Sequence, residues 1–362
     1  MIFNLFKSKS KLGIDIGTSS IKVIELSKQS GRFELENYGI FELKGSTGAA
    51  GDQSILKLPD EEIVWGIKEV LKTAKFKTKD VTASISSFST FATVIEMPYL
   101  SEDDLARAIP FEARKYVPIP LDEVVLDWSI VGITDQKAAP SEPGVSPVTP
   151  GKTTTVEVFL AAVPKNETAR YQRIMKDAGL NLTALELENA GLIRGLLGND
   201  LSATAVVNIG GRSTSIVIVN RGYERISHNY EIGGFEISKA IARALNIDLE
   251  KAEGLKRKLG LTESNENIIR EAMLSLIDMM IFETKKTIST YEESKNQKVS
   301  RVVLVGGLVN MPNFINYFKQ KLGRDVYVGN VFARIVYPQA LTPIVQELSN
   351  NFSVAAGLAM RE

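Results

Sequence analysis

Residues 12–26 read LGIDIGTSSIKVIEL, two β-rich apolar segments around a Gly-Thr-Ser-Ser turn. That spacing predicts a β-hairpin. The backbone N–H groups of a turn made from Gly17, Thr18, Ser19 and Ser20 can converge on phosphate oxygens, because small residues let the backbone approach closely. Asp15, at the end of the first strand, can hold a hydrated Mg²⁺. Lys22, on the return strand, can bring its ammonium to the same phosphates as a point charge. Taken alone, the same residues also describe an ordinary hairpin with a solvated lysine and aspartate.

A second segment repeats the pattern. Val207-Asn208-Ile209-Gly210-Gly211-Arg212-Ser213 aligns with Ile14-Asp15-Ile16-Gly17-Thr18-Ser19-Ser20, and return strands follow at 214–219 and 21–26. This is a signal of internal duplication, although strand-Gly-turn-strand is a common arrangement.

The elements that must position these turns alternate in type. Helical spacing of apolar residues predicts helices over 61–74, 166–178, 235–245, 249–259, 267–293, 314–322 and 352–360. A further helix opens at Ser101 on a Ser-Glu-Asp-Asp cap, and Pro110 is expected to kink or split it. Strands are predicted over 81–87, 154–163, 203–208 and 302–305, so both halves read as α/β. Residues 135–152 (DQKAAPSEPGVSPVTPGK) carry little that could be buried and read as a flexible surface loop.

Composition narrows the chemistry. The 362 residues hold 43 Lys plus Arg and 43 Asp plus Glu, a balance that argues against a protein built mainly to grip nucleic acid. There is no cysteine, which excludes disulfides, thiolate metal sites and a cysteine nucleophile. His228 is the single histidine, which argues against a histidine metal site or a Ser-His-Asp triad. The opening MIFNLFKSKSKLG has no long apolar core and does not read as a signal peptide. No apolar stretch reaches the ~18 residues of a membrane span, so a soluble, cytoplasmic protein without direct membrane insertion is expected.

Five elements in order resemble the actin, heat-shock chaperone and sugar kinase superfamily. GIDIGTSSIK and VVNIGGRSTSIVIV resemble its two phosphate motifs, and VVLVGGLVNM at 302–311 its adenosine motif. AEGLKRKLG at 252–260 resembles the helix that offers Glu253 and Lys256 to ribose and base, and FSVAAGLAM at 352–360 the hinge helix. The resemblance implies ATP and Mg as ligands, with Gly210, Gly211 and Ser213 facing the phosphates and Gly306, Gly307 and Met311 lining the nucleoside. Asp15 and Asn208 would hold the metal through water; the superfamily usually has aspartate where Asn208 stands. An amide keeps the shape without the negative charge, so binding with weak or absent hydrolysis is expected. Glu188 is the candidate substitute carboxylate.

Within the superfamily the chain is similar to the PilM family of type IV pilus assembly. The phrases FNLF at 3–6, GIDIGTSSIKVIEL, LENA at 187–190 and AAGLAMRE at 355–362 carry the likeness. It implies an actin-like fold of two duplicated domains around a nucleotide cleft, with an extra subdomain of the kind found in the cell-division protein FtsA. The expected limits are 10–87 with 182–200 and 341–362 for the first domain core, and 88–181 for the inserted partner-binding subdomain. The second core takes 201–245 with 298–340, and 246–297 forms its small helical subdomain. The implied partner is the cytoplasmic N-terminal peptide of a PilN-like bitopic membrane protein, which would hold the chain at the inner face of the membrane. Pilus motor ATPases and self-association are further partners the resemblance leaves open.

Two other classes compete. An FtsA-like filament protein would carry a basic amphipathic tail, and none is expected after 359–362. A small-molecule kinase would need a catalytic carboxylate and a substrate pocket that the sequence does not single out. The remaining features have plain readings: His228 as a hydrogen-bonded residue near a strand end, Lys256-Arg257-Lys258 and Lys285-Lys286 as solvated helix faces, and Met279-Met280-Ile281-Phe282 as core.

Overall fold

The computed structural model describes residues 10–43, 59–136, 153–262 and 267–362. FNLF at 3–6 and nearly all of the expected loop 135–152 lie outside them. In chain order the first elements are β1 (Lys11–Ile16), β2 (Ser20–Gln29), β3 (Arg32–Glu42), α1 (Asp60–Thr73) and β4 (Asp80–Ile85). Then come β5 (Phe91–Pro98), α2 (Glu102–Ala113), β6 (Val124–Gln136), β7 (Thr153–Pro164), α3 (Lys165–Asp177), β8 (Asn181–Leu187) and α4 (Glu188–Leu196). The second half holds β9 (Thr204–Ile209), β10 (Thr214–Asn220), β11 (Tyr223–Tyr230), α5 (Gly234–Leu245), α6 (Leu249–Leu259) and α7 (Asn267–Lys295). It ends with β12 (Arg301–Val305), α8 (Phe314–Leu322), β13 (Val326–Val328), β14 (Ile335–Val336) and α9 (Val345–Ala359).

Two sheets repeat one topology. The first runs β14-β3-β2-β1-β4-β8 and the second β11-β10-β9-β12-β13. In each, an antiparallel hairpin (β1–β2, β9–β10) is followed by a strand parallel to its first member (β4, β12). The duplication seen in the two turns therefore extends to whole sheets. A third, separate sheet has the order β5-β7-β6.

Side-chain alternation distributes the core over several layers. Leu12, Ile14, Ile21 and Val23 face Ile63, Ile67 and Val70 of α1 and Ile174 and Met175 of α3. From β2, Ile24 and Leu26 face the opposite way, onto Phe352, Ala355 and Ala356 of α9. Val206, Val217, Val303 and Val305 of the second sheet pack on Leu192 of α4 and on Val354 and Leu358 of α9. The other face of that sheet, with Val207, Ile209, Ile216 and Ile218, covers α5, α7 and α8. Thus α4 and α9 lie between the two large sheets. The third sheet buries Val156, Val158 and Leu160 against Leu105 and Ile109 of α2.

Several expectations change. α2 runs through Pro110 as one helix, capped as expected by Ser101, whose Oγ accepts from the Asp104 N–H at 3.2 Å. Pro110 lies in the last turn, where losing one N–H donor does not interrupt the helix. α9 begins at Val345 rather than 352. His228 sits inside β11, opposite Ile216, with its Nε2 3.2 Å from Glu283. Of the 279–282 stripe, Met280 and Ile281 are core, but Met279 and Phe282 are exposed, because consecutive positions span a helix's full circumference. Lys256 is buried rather than solvated. Among the described residues no helix is long and apolar enough to cross a membrane.

Candidate functional site

The sequence-selected residues gather at the carboxyl ends of the parallel strands β1, β4, β8, β9 and β12, where α/β sheets place their ligands. In each hairpin the first glycine of the turn closes it in the same way. Gly17 N–H donates to the Ser20 carbonyl at 3.0 Å, and Gly210 N–H to the Ser213 carbonyl at 2.9 Å. Thr18 and Ser19 stand at the first tip, Gly211 and Arg212 at the second. The tips meet: a Cβ placed on Gly211 would lie 2.3 Å from Ser19 Oγ, so only glycine permits this approach. The second turn is braced from behind, since the N–H groups of Gly234 and Phe235 at the start of α5 donate to the carbonyls of Gly210 and Gly211 at 3.0 and 2.7 Å. Arg212 stacks over the Phe235 ring at 4.2 Å.

Close to the turns the polar side chains of the two sheets form a cluster. Asp15 is buried and stands opposite Lys22 in the β1–β2 ladder, with Oδ2 3.3 Å from Nζ. Ser84 at the end of β4 donates to Asp15 Oδ1 at 3.0 Å. From the second sheet, Asn208 Nδ2 donates to Glu188 Oε1 at 3.0 Å, and Glu188 is the first residue of α4. Burial pushes the Glu188 carboxyl up to about 7, and the nearby Asp15 charge adds to this; Lys22, the Ser87 N–H and the Asn208 amide pull the other way. The amide at 208 thus holds the carboxylate that was the candidate substitute for the missing aspartate.

The expected nucleoside residues divide. Glu253 and Lys256 on α6 form one network: Lys256 Nζ donates to Glu253 Oε2 (2.6 Å), the Gly234 carbonyl (2.8 Å) and Ser238 Oγ (3.0 Å). Burial lowers the Lys256 ammonium pKa against the opposing pull of Glu253. Burial alone would raise the Glu253 carboxyl, but Lys256 brings it below its usual range. This network touches the base of the second turn, because Gly234 contacts both Gly210 and Lys256. Gly306, at φ 99°, lies against the Ile209 backbone, where a Cβ would stand 2.1 Å from the carbonyl oxygen. Gly307 follows at the start of a 3₁₀ turn, whereas the Met311 side chain is buried in the core under the second sheet. Ser84, Ser87, Ser238 and Phe235 were not anticipated. Ser84 was legible in principle, one residue before the end of a strand beside β1.

The oxygen-rich donors of the pocket suit a hard cation. Among the described residues no group of three or more His, Cys, Asp or Glu could hold a metal ion by itself.

Three comparisons bear on this arrangement. A chain of a PilM-PilN type IV pilus biogenesis complex superposes with a TM-score of 0.78 at 22% identity, covering 99% of both chains. MreB5 of Spiroplasma citri, solved bound to AMPPNP, gives 0.54 at 11% identity, covering 97% of this chain and 95% of that one. The cell division protein FtsA of Enterococcus faecalis is 22% identical over 365 residues, covering 90% of this chain and 78% of the relative. The fold is the actin-like α/β fold that the motifs predicted. The family model of the type IV pilus assembly protein PilM matches residues 13–362, and the chain belongs to that family.

Proposed function

We propose that this chain is an ATP-binding scaffold of the type IV pilus assembly platform. The observation that carries the reading is the pair of equivalent glycine turns meeting tip to tip in front of Asp15, Lys22, Glu188 and Asn208. The turns of 17–20 and 210–213 offer backbone N–H groups to the β- and γ-phosphates, and Lys22 adds a positive charge. Asp15 and Asn208 hold a hydrated Mg²⁺, which when bound neutralises phosphate charge. Glu253, Lys256, Gly306 and Gly307 border the nucleoside; Met311 supports that wall from the core. In this reading the domain limits are those expected from the sequence, except that β14, which pairs with β3, and α3, which packs on β1 and β2, go with the first core rather than with the second core and the inserted subdomain.

Hydrolysis is slow in this reading. An attacking water needs a group to orient it and accept its proton. The Asn208 amide cannot accept that proton, and Glu188 is held by it in a pocket that favours its protonated form. The bound nucleotide then acts as a structural element. The third sheet, with α2, offers the docking face for the cytoplasmic N-terminal peptide of a PilN-like membrane protein, which places the chain at the inner face of the membrane. Edge strands and grooves of this kind take extended peptides through main-chain hydrogen bonds. The test is fluorescence polarisation of a labelled peptide with that sequence against the full chain, with and without ATP and Mg²⁺. Saturable binding is expected; no binding at millimolar protein contradicts the partner assignment.

A further inference from the structure

Glu188 and Asn189 are consecutive at the start of α4, and their side chains serve two different sets of partners. Glu188 belongs to the pocket behind the turns, held by Asn208. Asn189 is buried, and both ends of its amide are used: Nδ2 donates to Glu224 Oε2 at 3.0 Å, and Oδ1 accepts from Ser215 Oγ at 3.3 Å. Asn208 and Ser215 face each other in the β9–β10 ladder, so one step of that ladder grips both residues. Glu224 is buried on β11, with its carboxyl pushed up by burial against the hydrogen bonds of Ser227 and Asn189.

The next residue leaves the second sheet. The β10–β11 register shifts between Ile218 opposite Ile226 and Val219 opposite Glu224, so Arg225 has no partner in the ladder. Such a bulge re-aims a side chain. The Arg225 guanidinium, 5% exposed, reaches the third sheet, donating to Glu157 Oε2 at 2.7 Å and to the Val131 carbonyl at 3.1 Å. Lys295 at the end of α7 adds bonds to Glu157 (3.3 Å) and Glu96 (2.9 Å). Polar contacts therefore link the pocket to the central strand β7 of the third sheet, joined by two steps along the backbone, from Glu188 to Asn189 and from Glu224 to Arg225. Buried polar networks of this kind have few alternative arrangements, because each lost bond leaves an uncompensated group.

We propose that the Glu188–Asn189 pair transmits occupancy of the phosphate pocket to the third sheet, through Glu224 and the Arg225–Glu157 ion pair. The coupling rests on the reading of the pocket as an ATP site. A divalent cation and phosphates arriving beside Asp15 and Lys22 change the field at Glu188, and its movement is passed to Asn189 along the rigid start of α4. Asn189 and Glu224 are positioning residues in this scheme and touch no ligand. The third sheet is then ordered, or re-set against β11, when the pocket is filled.

Amide exchange of the full chain, followed on peptides covering β5 and β7, reads the coupling without any partner protein. ATP affinity in the presence of Mg²⁺ is measured in parallel by calorimetry. The wild type is expected to bind and to show exchange in β5 and β7 slowed by about fivefold or more. Asn189→Ala, and the nearly isosteric Glu224→Gln should the first variant fail to fold, are expected to bind ATP within about threefold of wild type, a difference under about 1 kcal/mol. Both are expected to lose the change in the third sheet. Absence of ATP binding overturns the functional reading and the coupling with it. Binding without an exchange change in the wild type, or the full change surviving in Glu224→Gln, overturns the coupling alone.

Discussion

Replacing Gly357 by alanine tests the helical layer on which the two large sheets meet. A Cβ at this position would stand 1.8 Å from the Gly191 carbonyl oxygen and 2.5 Å from its carbon. Both are backbone atoms of α4, so no side-chain rotation relieves the clash. Restoring an ordinary contact of about 3.5 Å requires α9 and α4 to part by roughly 1.5 Å. Leu192 and Leu358, both fully buried, and Val354 lose packing as the helices separate. Overpacking costs about 1–3 kcal/mol, and a backbone obstacle places this case at the top of that range. The gain in helix propensity from Gly to Ala is about 1 kcal/mol in the other direction. The net effect is a loss of about 2 kcal/mol. At roughly 1–2 °C per kcal/mol for a chain of this length, Tm should fall by about 3 °C. Scanning calorimetry resolves that difference. Gly254, on the exposed face of α6 with nothing within 4 Å of an added Cβ, is the control. There the same substitution should raise Tm by about 1 °C. If Gly357→Ala stabilises the protein as Gly254→Ala does, the close α4–α9 crossing is wrong.

Three other outcomes are expected. Glu292 accepts from Arg324 at 2.8 and 3.0 Å and from the Val299 N–H at 2.9 Å, and Arg324 chiefly holds its carboxyl down at about 2. A depressed carboxyl stabilises the fold above its ordinary pKa and loses that contribution as pH falls from about 4.5 toward 2. Glu292→Gln should cost about 1 kcal/mol at neutral pH, solvent screening of the pair included, with the Tm gap to wild type narrowing as pH falls below about 5; a gap independent of pH would contradict the assignment. Gly211→Ala should force the turns apart at Ser19 and weaken ATP binding by about tenfold or more, as misplaced phosphate contacts do, while Tm of the apo protein stays within about 2 °C. Asn208→Asp should raise the single-turnover hydrolysis rate with affinity unchanged, whereas fast hydrolysis by the wild type would end the account of a persistent nucleotide.

The parts of the fold that the sequence exposes are those fixed by local physics. The two glycine turns are legible because the strands around them are short apolar runs and the turns are rich in Gly, Ser and Thr. The start of α4 is not. Asn189 and Glu224 look like ordinary polar surface residues until the antiparallel β9–β10 ladder and β11 bring them under cover. Arg225 is similarly opaque, since its bulge exists only in register with β10 and its partners lie on β6 and β7. β3 is hard to read because most of it is half-buried, on both faces, and none of it fully buried, which weakens the alternation that marks a strand. The first turns of α9 are harder to read because Val345 and Leu348 are the only apolar residues of VQELSNN, and its polar Ser349 and Asn350 are buried by hydrogen bonds to the chain around 310 and 329–331.

The central claim is that the meeting point of the two hairpins binds ATP with Mg²⁺. Isothermal calorimetry of the purified full chain, titrated with ATP in the presence of Mg²⁺ and again with chelator, addresses it directly. The account predicts one site per chain, weakened when the metal is removed, and the same weakening in Asp15→Ala with metal present. No heat of binding in the wild type at saturating ATP and Mg²⁺, together with an unchanged melting curve, would contradict it.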